Sequence, residues 1–117
     1  MENDLTKSWI KFQLEKSDGL FWAWEELEQL VQKKPEKAWM LVQDICDASN
    51  DEKVLGALSA GPLEELIVQH GKEFIDRLEI KVRQCPKFAK LIHGVWVDSD
   101  AIGTRVKALK EKYANNV

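Results

Sequence analysis

Apolar residues recur at three- and four-residue intervals from one end of this chain to the other, and no stretch holds the alternation of a strand. Proline, glycine and short polar clusters cut that periodicity into brief segments. The combination predicts an all-α domain of about eight short helices, arranged as a compact bundle or as a short HEAT/armadillo-like stack of helical hairpins. With 117 residues the chain reads as one domain, 1–117. A chain of that size buries roughly two-thirds of its unfolded surface and needs no metal or disulfide to fold.

The first helix is expected to be capped by Asn3 or Asp4 and to run to about Lys16, with Leu5, Trp9 and Phe12 inward. Ser17-Asp18-Gly19 breaks it. In the second, Leu20, Trp24, Leu27 and Val31 share one line, while Trp22 stands on the polar side among Glu26, Gln29 and Lys33. Pro35 opens a third helix to about Ala48, with Ala38, Leu41, Val42 and Ile45 inside and Met40, Gln43, Asp44 and Asp47 outside. Ser49 to Glu52 forms a turn and cap before a short helix carrying Val54, Leu55 and Leu58.

The stretch from Gly61 to Arg77 reads as two helices meeting at a tight corner. Pro62 begins the first, Gly71 takes the left-handed conformation that ends it at His70, and Lys72 to Gln84 forms the second. Pro86 opens a further helix that stops near Trp96, with Lys87 and Lys90 facing out. Asp98-Ser99-Asp100 caps a basic last helix, about 99–114, whose inner line is Ile102, Val106, Leu109 and Tyr113. Pro35 and Gly71 thus open helices 36 residues apart, close to a helical-repeat period.

The strings Gly61-Pro62-Leu63-Glu64, His70-Gly71, Phe74-Ile75-Asp76-Arg77 and Gly94-Val95-Trp96 together resemble a family of small bacterial all-helical proteins classed as a domain of unknown function. The resemblance covers roughly residues 20–96. It implies a bacterial helical domain and brings no activity, cofactor or catalytic residue with it.

Charge divides along the chain. Residues 1–80 hold 17 acidic and 9 basic side chains, a net of −8, and residues 81–117 hold 3 acidic and 8 basic, a net of +5. An acidic body with a basic end steers charged partners to one side. Cys46 and Cys85 are too few and too far apart for a zinc or redox motif, and they read as core thiols in a reducing compartment. The longest apolar run, Leu20 to Trp24, is too short for a signal peptide core or a membrane span, so the expected location is cytoplasmic.

His70 is the residue to test as a catalyst, with Glu64 or Asp76 as its carboxylate in a hydrolase-like site. No HExxH, GxSxG or phosphate-loop spacing accompanies it, and its place on an inner stripe at a helix end favours a hydrogen bond to a free carbonyl instead. No catalytic, cofactor or metal residue is therefore assigned. Arg105, Lys107, Lys110 and Lys112 are the residues that would meet phosphates, but a chain of pI about 5.4 argues against nucleic acid, and no helix suits a membrane surface.

What remains is another protein. Trp22 and Met40 on otherwise acidic helix backs are anchor types, with Glu25, Glu26, Asp44 and Asp47 to steer a cationic partner such as a basic toxin or effector. The reading is an immunity-type or antagonist protein, ahead of a self-associating adaptor domain that forms homo-oligomers.

Overall fold

The computed structural model describes residues 2–98 and 100–113, and it is helical almost throughout, with no strand among them. Its α-helices are α1 (Glu2–Glu15), α2 (Phe21–Lys33), α3 (Pro35–Ala48), α4 (Glu52–Leu58), α5 (Glu64–Gln84), α6 (Pro86–Leu91) and α7 (Ala101–Lys112). Short 3₁₀ turns occupy Asp18–Leu20 and Ile92–Gly94, and a π turn, Ser59–Leu63, joins α4 to α5.

Several boundaries follow from local chemistry. Pro35 and Pro86 open α3 and α6, where a missing N–H has no helical partner to lose. Asp51 Oδ1 caps α4 by accepting the N–H groups of Lys53 (2.8 Å) and Val54 (3.2 Å). Asp100 Oδ1 caps α7 through the Gly103 N–H at 2.8 Å. Ser99 and residue 114 of the expected last helix lie outside the described residues. At the other end α1 already includes Glu2, so the backbone of Asn3 and Asp4 falls within the helix rather than ahead of it.

The core is one cluster contributed by every α-helix, from Leu5 and Trp9 in α1 to Val106 and Leu109 in α7. α1 packs on α2, α3 and α4, while α5 lies against α2, α3, α6 and α7. The radius of gyration is 13.6 Å, beside about 13 Å for a compact chain of this length, so the bundle is the arrangement found. Pro35 opens a helix and Gly71 does not, so their spacing marks no repeat.

The expected corner at His70-Gly71 is instead a kink inside α5. His70 leaves helical geometry (φ −130°, ψ 28°), and no described glycine takes a positive φ. Gly71 is required for space: a Cβ there would stand 2.8 Å from Ile102 Cγ2 of α7. The positive φ among the described residues is instead that of Lys16 (φ 52°), directly after α1. Pro62 does not start a helix either, being buried within the π turn that carries α4 into α5.

Lys87, expected to face solvent, reaches back from α6 to the C-terminal end of α3. Its ammonium donates to the carbonyls of Cys46 and, at 2.9 Å, Ser49, where carbonyls lack helical partners and the dipole is negative. Burial pushes the Cys46 thiol up to about 11, which suits a core side chain more than a nucleophile. The Ser59 hydroxyl similarly donates to the Leu91 carbonyl, fastening the π turn to α6. Gly94 permits that approach, since a Cβ on it would come 3.0 Å from the Ser59 Cβ.

Candidate functional site

Five consecutive apolar residues, Leu20 to Trp24, cannot all face inward from a helix that turns about 100° per residue. Ala23, with Leu27 and Val31, takes the buried line of α2. Phe21, Trp22 and Trp24 remain 43%, 48% and 37% exposed. Trp24 was expected in the core; it lies at the edge of the buried arc and stacks on Phe21 with centroids 5.4 Å apart. Phe21 in turn meets Phe12 of α1 edge-on at 5.8 Å, and the Lys16 ammonium stands 5.1 Å from the Phe12 ring centroid.

This aromatic edge is the feature that helical periodicity misses. The signal for it was the length of the run itself.

All six residues expected to meet a partner lie at the surface. Trp22, Glu25 and Glu26 are exposed on α2, and Met40, Asp44 and Asp47 are exposed on α3. Lys34 alone separates these two helices, which pack directly on each other. Glu36 is drawn aside by Arg77 of α5, 2.6 Å away, which holds its carboxyl below the usual range.

His70 has its ring committed to structure. Nε2 lies 2.7 Å from the Val31 carbonyl oxygen in the last turn of α2, and serves there as the N–H donor to an acceptor without a helical partner. The carboxylates that the sequence offered it are engaged elsewhere. Glu64 accepts the Trp96 N–H at 2.7 Å, and Asp76 pairs with Arg105 at 2.5 Å. A hollow of about 360 Å³ opens beside the kink, lined in part by His70, Lys72, Glu73, Asp98 and Asp100. No group of three or more potential metal ligands is found among the described residues.

Arg105, considered above for phosphate, is claimed by α5. Its guanidinium donates to both oxygens of Glu79 (3.1 and 2.5 Å) and to Asp76, docking α7 and raising the arginine's own pKa. Trp96, near which the helix opened by Pro86 was expected to stop, is 72% exposed, with the Lys110 ammonium 3.9 Å from its ring centroid.

A pair of carboxyl groups, Glu28 and Glu65, lies between α2 and α5. Burial raises the pKa of Glu28, and the charge of Glu65 and a hydrogen bond with it push in the same direction. A carboxyl whose pKa is raised on folding binds its proton more tightly in the folded state. Its stability contribution is therefore greatest at low pH and falls as pH rises from about 4.5 through the raised value. Glu28→Gln is expected to raise the thermal midpoint at neutral pH and to leave it unchanged near pH 3, as read by calorimetric melts across that range. An equal effect at both ends would mean that ionisation of Glu28 is not what costs stability.

A family model described as a family of unknown function, DUF6869, matches residues 11–114. The match therefore reaches from within α1 through α7, beyond the 20–96 over which the quoted strings lie. No curated protein and no solved structure matches the chain. No helix among the described residues is long and apolar enough to cross a membrane.

Proposed function

We propose that this chain, which belongs to the DUF6869 family of unknown function, is a bacterial protein-binding module of the immunity or antagonist type, acting in the cytoplasm by covering a cationic protein partner. The observation that supports the reading is that Trp22 (48% exposed), Met40 (49% exposed) and the exposed Glu25, Glu26, Asp44 and Asp47 are carried by two directly packed helices. Large apolar side chains set among charges are the types that anchor interfaces once water is excluded, and the charges guide the approach. Glu25, Glu26, Asp44 and Asp47 supply that guidance, with no cofactor, metal, nucleic acid or membrane required. The packed helices beneath keep the surface in one shape before the partner arrives, which reduces the entropy lost on docking.

Pull-down from the native host lysate tests this, with wild-type protein beside Trp22→Ala/Met40→Ala and mass spectrometry of what is retained. A basic protein held in stoichiometric amount by the wild type and lost from the double variant is the expected result. Equal retention by both proteins would rule out this face. Recovery of the chain alone would favour the second reading, a self-associating adaptor, for which the exposed Phe21 and Trp24, stacked on each other beside Phe12, supply apolar surface.

A further inference from the structure

The opposite end of the charge distribution holds a second surface, independent of the α2–α3 face. Trp96 follows the 3₁₀ turn Ile92–Gly94, and its backbone is tied to α5 through the 2.7 Å bond from its N–H to Glu64 Oε1. Its indole is 72% exposed, the most of any large apolar side chain among the described residues. Beside it runs a hollow of about 460 Å³ with Val97 and Val106 as apolar walls and Thr104, Lys107 and Lys110 at its edge. Lys110 lies partly buried across the indole, and burial lowers its pKa, so the ammonium has given up water without a carboxylate at ion-pair distance among the described residues.

An aromatic platform, an apolar trough and an incompletely compensated cation together define the ligand that fits. We infer that the Trp96–Lys110 hollow binds a single carboxylate carried on an apolar body, such as a protein chain end or a small aromatic acid. The anion pairs with Lys110 and Lys107, and the apolar part lies along Trp96, Val97 and Val106. A polyanion fits poorly, because the surroundings alternate in sign. Glu64 lies within electrostatic reach of Lys110, Asp98 and Asp100 precede α7, and Arg105 is spent on Glu79 and Asp76. Successive phosphates reaching past Lys110 would meet the charge of Glu64.

The five tryptophans give separate indole N–H signals in a ¹⁵N NMR spectrum, and Trp96→Phe identifies the one that matters. Three probes are titrated into the full chain: N-acetylphenylalanine as a chain-end mimic, 3-phenylpropionate as a small aromatic acid, and neutral N-acetylphenylalaninamide. The expected result is a saturable shift of the Trp96 signal with the acids and none with the amide. Lys110→Met, which keeps the apolar stem, should weaken the acids at least about tenfold. The tighter of the two acids identifies the ligand's source. An equal response to the amide, undiminished binding by folded Lys110→Met, or no saturable shift below about 10 mM would overturn the assignment.

Discussion

Phe74→Ala is expected to remove about 3–5 kcal/mol of stability, enough to unfold much of a domain whose total lies at about 5–15 kcal/mol. Phe74 is fully buried in α5 and sits at the centre of an aromatic chain that joins three helices. Trp39 of α3 lies 5.9 Å from it, Phe88 of α6 lies 5.8 Å beyond Trp39, and His70 meets its ring edge at 6.5 Å. The Arg77 guanidinium covers another part of the ring at 4.8 Å. Truncation therefore opens a cavity where surrounding side chains are already fixed by other contacts, and little collapse can fill it. Urea titration reads the loss directly. Trp96→Ala, removing as large a side chain from the surface, should change the stability by no more than about 0.5 kcal/mol. If the two variants lost similar amounts, Phe74 would not be a packing hub.

The second large effect concerns binding, and it separates the two kinds of residue on the α2–α3 face. Once the partner is in hand, Trp22→Ala is expected to cost about 2 kcal/mol, roughly thirtyfold, and almost all of it in faster dissociation. Reversing Glu25, Glu26, Asp44 and Asp47 to lysine should instead slow association and flatten its salt dependence, because these carboxylates act at a distance through solvent. Surface plasmon resonance at two ionic strengths distinguishes them. A Trp22 variant that altered association alone would show that the indole guides the partner without being buried by it.

Much of the helical layout was legible in the residues because its causes are local. Asp51 and Asp100 cap helices in the way their side chains favour, and Pro35 and Pro86 open helices where their missing N–H matters least. The failures come where a neighbour overrides a local preference. Gly71 looks like a helix terminator but serves the close passage of Ile102, which is 31 positions away. Lys87 carries a charge that should seek water, yet the free carbonyls ending α3 offer its ammonium comparable partners. Trp24 satisfies the periodicity of the core and is still displaced, because Ala23 and Leu27 occupy the closest approach. At the candidate surface, Trp22 and Met40 were legible as outward-facing, whereas the ring-to-ring contact from α1 to α2 depends on how those helices dock.

The π turn between α4 and α5 is itself part of the core. Ser59, Pro62 and Leu63 are all buried within it, between Leu58 and Leu66. Its width sets the rotational phase of α5 relative to α4. Deleting Ala60 or Gly61 would favour a regular turn and rotate α5 by about 100° relative to α4. Phe74 would swing away from Trp39, and Arg77 away from the Glu36 carboxylate that it holds. A one-residue length change here therefore acts like a gear slipping one tooth, whereas the same deletion in an exposed loop would be absorbed locally.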